Sequence, residues 1–135
     1  STTTALPRRP ARQARKMAEE GSALAAAIAR AEEDLHVAAQ GQALCRIDGS
    51  GGPTPFFVKR AEGAHAALVD VRRELRHRDE PALTAAAERV LGRWRSDLRR
   101  WQERKAGPWI AYCEGGCAAV EALLGEVPGS RRPGT

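Results

Sequence analysis

The chain has 135 residues, enough for one compact domain, with 22 Lys and Arg against 17 Asp and Glu and an alanine-heavy hydrophobic fraction of 42%. That profile is too apolar for a disordered chain and too poor in aromatic and β-branched residues for a β-sandwich. No apolar run approaches the roughly 20 residues of a membrane span, and three cysteines, an odd number, speak against a disulfide framework and for a reducing, cytoplasmic setting.

Charge is unevenly distributed. Residues 1–16 carry Arg8, Arg9, Arg12, Arg15 and Lys16 and no acid, while Arg131 and Arg132 add two further bases near the other end. Pro7 and Pro10 interrupt the opening stretch and no apolar run follows it, so residues 1–10 read as a flexible basic arm without a secretory leader. Pro128-Gly129 and Pro133-Gly134 mark 128–135 as a short tail, leaving 11–127 as the domain. The preponderance of Arg over Lys, with abundant Ala and Gly, suggests a GC-rich bacterial genome.

Between those ends three breaks divide the chain. The first, Arg46-Ile47-Asp48-Gly49-Ser50-Gly51-Gly52-Pro53-Thr54-Pro55, is a long turn-forming cluster; the second is His77-Arg78-Asp79-Glu80-Pro81, where Asp79 can cap and Pro81 is tolerated in a first turn. The third is Ala106-Gly107-Pro108, a glycine closing one helix and a proline opening the next. The four segments so bounded each show an apolar seam stepping by four and three. It runs through Met17, Gly21, Leu24, Ile28, Ala31, Leu35, Ala38, Gln42 and Cys45, then Phe57, Ala61, Ala64, Leu68, Val71 and Leu75. It continues through Ala87, Leu91, Trp94, Leu98 and Trp101, and finally Ile110, Cys113, Cys117, Val120, Leu124 and Val127. This spacing predicts an all-α, four-helix antiparallel bundle with helices over 11–45, 55–78, 80–105 and 108–127. The last is weakened by Gly115-Gly116, about 2 kcal/mol poorer in helix propensity than two alanines. Leu24, Ile28, Leu35, Leu68, Val71, Leu75, Leu91, Trp94, Leu98, Trp101, Ile110, Val120 and Leu124 are the expected core. With so many seam alanines this core is thin, and a second copy or partner would help it.

The second and third helices are arginine-rich, the first and fourth acidic. Either the rims of neighbouring helices compensate one another, or Arg72, Arg73, Arg76, Arg93, Arg99, Arg100 and Arg104 form a basic face for an acidic partner. Glu33-x-x-His36 and Glu62-x-x-His65 have the spacing of carboxylate-bridged metal helices, but Glu33, His36 and Glu62 point away from the seams, so no metal is expected. Cys113 and Cys117 lack the second ligand pair a zinc site requires and read as core thiols, with Cys45 a third on its own seam. No nucleophile, phosphate loop or cofactor motif is legible, and no catalytic activity is expected. Trp94 and Trp101 read as core knobs; Trp109 and Tyr112, off the seam, read as an exposed contact patch. The function expected is a non-catalytic interaction or scaffold module, self-associating or docking into a larger assembly. The alternative is an accessory nucleic-acid or ribonucleoprotein binder using the arm and the arginine face.

Overall fold

The computed structural model describes residues 8–47, 54–77 and 82–127, with side chains left out for 8–10 and 44–47. Among these residues there is no strand. The four helices are α1 (Arg8–Ile47), α2 (Phe56–His77), α3 (Leu83–Glu103) and α4 (Gly107–Glu126). α1 starts before the expected residue 11 and takes Arg8, Arg9 and Pro10 from the presumed arm into its first turn. Pro10 fits there because the first helical N–H groups lack intrahelical partners in any case. The rest of the arm, residues 1–7, and the tail, 128–135, lie outside the described residues, as do Asp79 and Pro81.

The α3–α4 corner differs from expectation. The left-handed residue is Lys105 (φ 54°), not Gly107, which is the first residue of α4. The Ala106 amide donates to the Trp101 carbonyl and the Lys105 amide to that of Gln102, both at 3.1 Å, closing α3 in a Schellman arrangement. A Cβ on Gly107 would stand 2.8 Å from the tip of the half-exposed Phe56 ring, which would have to turn aside.

Successive helices run antiparallel. Gly41 meets Phe57 and Glu32 meets His65 across α1–α2; Asp70 meets Trp94 and Glu74 meets Arg89 across α2–α3; Trp101 meets Trp109 and Arg95 meets Glu121 across α3–α4. α2 and α4 therefore run the same way. They are nevertheless the most extensively packed pair, where a square up-and-down bundle would set them diagonally apart. Glycines explain this. A Cβ on Gly63 would collide with the Tyr112 backbone carbonyl, one on Gly115 with the Arg60 carbonyl, and one on Gly116 with the Trp94 indole. The Gly115-Gly116 pair that weakens α4 as an isolated helix is what lets α4 press against α2 and α3.

The core follows from this arrangement. Expected positions Leu24, Ile28, Leu68, Val71, Leu91, Trp94, Val120 and Leu124 are buried, while Leu35, Leu75, Leu98, Trp101 and Ile110 are half-buried. Because α2 and α4 pack on more than one side, a second set is buried too: Val58, Gly63, Ala67, Leu83, Ala86, Val90, Ala111, Gly116 and Leu123. α1 joins this core through Leu24, Ala27, Ile28 and Ala31 and packs chiefly along α2. Among its described side chains the buried ones, Glu20, Leu24, Ala27, Ile28 and Ala31, lie in a short middle stretch. At 1.5 Å per residue its 40 residues span about 60 Å, twice the length of α4.

These contacts predict opposite outcomes for the same substitution at two glycines. Gly63→Ala gains helix propensity but must push α4 away from α2, and should destabilise the fold by at least about 1–3 kcal/mol. Gly92→Ala, where a Cβ meets nothing within 4 Å, should stabilise it by up to about 1 kcal/mol. Urea unfolding of the two variants checks both signs.

Candidate functional sites

The close packing of α4 has a chemical consequence at the end of the bundle where α2 and α4 begin and α3 ends. Trp94 stacks on Tyr112 (ring centroids 5.2 Å apart, 28° between planes), Tyr112 meets Trp109 edge-on (5.6 Å, 81°), and Trp109 stacks on Trp101 (5.6 Å, 21°). The two core tryptophans and the two off-seam aromatics thus form one ladder. Trp94 is buried, Tyr112 and Trp101 are half-buried, and Trp109 is 45% exposed. Phe56 and Phe57, both about half exposed, stand at the same end, so all six aromatic side chains of the chain gather there. The Trp94 indole N–H donates to Asp70 Oδ2 at 2.9 Å, which satisfies a buried donor and fixes the ring.

The ladder lines a cleft of about 290 Å³, with Cys113, Asp70, Asp97 and Arg93 completing its wall. Burial pushes the Cys113 thiol up to about 11, helped by the Asp97 carboxylate and Cys117. Burial likewise raises the Tyr112 phenol, with Asp70, Cys113 and Glu62 adding to it. Cys117, one turn on, is raised by burial and then by Glu121, with Arg95 opposing. Both thiols are buried and free, as core thiols should be; the side chain of Cys45 is outside the described residues.

A second concavity, of about 440 Å³, lies between α1 and α2. Gly21, Leu24, Ala25, Ile28, Ala29, Glu32 and Arg72 line it.

The arginines expected to form one basic face are divided by the structure. Arg93 and Arg89 embrace the buried Glu74 at 3.3 and 2.9 Å; Arg73 lies 3.9 Å from Asp70 and Arg100 3.7 Å from Asp97. Arg104 sits over the Trp101 ring at 5.6 Å, and Arg72 faces the α1–α2 groove, on the opposite side of α2 from α3. Arg76 and Arg99 are exposed and make no ion pair with another described residue. The acidic helix α4 is compensated from three sides. Glu114 pairs with Arg60 of α2 (3.5 Å), Glu121 with Arg95 of α3 (3.6 Å) and Glu126 with Arg30 of α1 (3.2 Å). Compensating rims are thus present, each such exposed pair contributing about 1 kcal/mol or less.

Of the arm residues, Arg12, Arg15 and Lys16 are exposed on α1; Arg8 and Arg9 lie in its first turn, side chains undescribed. Glu33 and His36 are exposed, His36 sharing a hydrogen bond of 3.2 Å with Gln40. His65 reaches Glu32 of α1 instead of Glu62, its Nε2 buried 3.5 Å from Oε1. The E-x-x-H pairs do not converge, and among the described residues no three His, Cys, Asp or Glu side chains cluster as a metal would require. No helix there is long and apolar enough to cross a membrane. Glu74 was invisible from sequence, since only its position opposite Arg89 and Arg93 explains a buried carboxylate.

Comparison with protein-family models, with curated proteins and with solved structures finds no match for this chain.

The buried thiols make the fold alkali-sensitive. An unfolded thiol loses its proton near 9.0 whereas native Cys113 holds it to about 11, so between those values the unfolded state binds fewer protons and is favoured. The melting temperature should therefore fall as pH rises from 9 to 11. Cys113→Ala should flatten that fall relative to the wild type, as thermal melts across that range would show.

Proposed function

We propose that this chain is a non-catalytic helical scaffold module that self-associates through α1, two copies pairing antiparallel. The observation that carries the reading is the mismatch between the 40-residue length of α1 and the short stretch, Glu20 to Ala31, over which it buries side chains. A helix segment packed on nothing is marginal in water, so residues 11–19 gain most from a partner.

Charge and shape select a second copy. Arg12, Arg15 and Lys16 are exposed near one end of α1; Glu32, Glu33 and Asp34 are exposed beyond its middle. Antiparallel pairing lays the basic cluster of each copy along the acidic cluster of the other. Between them the exposed Gly21, Ala25 and Ala29 allow close approach at the α1–α2 groove, and Met17, 46% exposed, supplies the apolar knob. Nucleic acid is the alternative partner, favoured by the exposed Arg76 and Arg99 together with Arg12, Arg15 and Lys16.

Charge reversal tests the pairing. Light scattering should find the wild type dimeric at low salt and dissociating as salt rises. A variant with Arg12, Arg15 and Lys16 changed to Glu, and another with Glu32, Glu33 and Asp34 changed to Lys, should each be monomeric. Mixed in equal amounts, they should pair. A monomeric wild type that binds a short nucleic acid with steep salt dependence would replace self-association by the alternative.

A further inference from the structure

The aromatic cleft is chemically unlike the rest of the surface. Trp94, Trp101, Trp109 and Tyr112 line it, and two carboxylates, Asp70 and Asp97, stand in its wall. The faces of an aromatic ring carry negative potential and attract cations. Here the chain already uses this: Lys59 Nζ lies 5.4 Å from the centre of the Trp109 ring and the Arg104 guanidinium 5.6 Å from that of Trp101.

The basic groups near the cleft each have a partner already. Arg93, the one base in its wall, is held 3.3 Å from Glu74, and Glu74 also accepts from Arg89. Arg73 and Arg100 approach Asp70 and Asp97 no closer than 3.9 and 3.7 Å, and both side chains are more than half exposed to water. The Asp70 and Asp97 carboxylates add to burial in raising Tyr112 and Cys113 respectively, which is the response of acids in a locally negative field.

We propose that this cleft binds a small organic cation, specifically a methylated ammonium head, held against the aromatic side chains that line it and the carboxylates of Asp70 and Asp97. A volume of about 290 Å³ accommodates a trimethylammonium group with a short chain. Methylation suits the site. It spreads the charge over carbon, loses less hydration than a bare ammonium on entry, and gives every ring an apolar contact. A phosphate or carboxylate ligand would face two carboxylates with no unengaged base in the wall. The methylated head belongs either to a free quaternary amine or to an N-methylated lysine on a peptide. The proposal does not depend on self-association through α1, which lies away from the cleft.

Tryptophan fluorescence of the full chain, titrated at constant ionic strength, tests it. Choline and tetramethylammonium should give a saturable change, whereas 3,3-dimethylbutan-1-ol, the neutral isostere of choline, should bind at least about tenfold more weakly. Asp97→Asn, at a half-exposed position, should weaken choline severalfold while leaving the far-UV spectrum intact. Trp109→Leu, also on the surface, should do the same. Tighter binding of a trimethyllysine peptide than of choline would identify a peptide side chain as the source, and the reverse a free amine. Equal binding of the isostere, absence of saturation up to tens of millimolar, or an unchanged affinity in Asp97→Asn would each overturn the proposal.

Discussion

The backbone-to-backbone approach of α4 onto α2 is the constraint from which the other features follow. Gly63 against the Tyr112 carbonyl and Gly115 against that of Arg60 bring together two helices that an up-and-down bundle would otherwise separate. Gly116 then makes room for the Trp94 indole, and α3 closes against both. With α4 drawn inward, the place a fourth helix would take beside it is lost. α1 is left to lie along α2, with few contacts to α3 or α4. The overhanging helix and the aromatic ladder are two results of one close contact: it sets Tyr112 beside Trp94 and Trp109 beside Lys59.

Electrostatics tie the arrangement together without driving it. The glutamates of α4 each reach a different helix through exposed pairs, which set register more than they add stability. Glu74 is another matter. Buried on α2 and held by Arg89 and Arg93 of α3, it is a carboxylate whose ion partners could not be removed without leaving an uncompensated charge. It also engages Arg93, the one base in the cleft wall, beside Asp70 and Asp97.

The number of helices and their principal faces were legible in the sequence because a 3.5-residue seam is a local property. Leu24, Ile28, Leu68, Val71, Leu91, Trp94, Cys113, Cys117, Val120 and Leu124 were found on that basis, and all are buried. What one seam per helix cannot reveal is a helix packed on two sides, and so Ala67, Ala111 and Leu123 were missed. The aromatic site was legible only in halves. Trp94 and Trp101 lie on one helix and Trp109 and Tyr112 on another, and their union depends on which faces meet. The glycines act against their local propensity. Gly63 precedes Ala67 by four on α2 and Ala111 precedes Gly115 by four on α4, small-residue pairs that permit close helix approach, so the α4 glycines, a cost to helicity in isolation, favour the packed fold.

Native-state hydrogen exchange tests the central claim, that the α2–α4 contact is the spine of the fold, most directly. Ala67 and Val71 on α2 and Val120 on α4 are fully buried, and their amides should exchange only through global unfolding, at the highest free energy in the chain. Exchange of these three amides through a local opening well below the global unfolding free energy, while α1 stays protected, would contradict it.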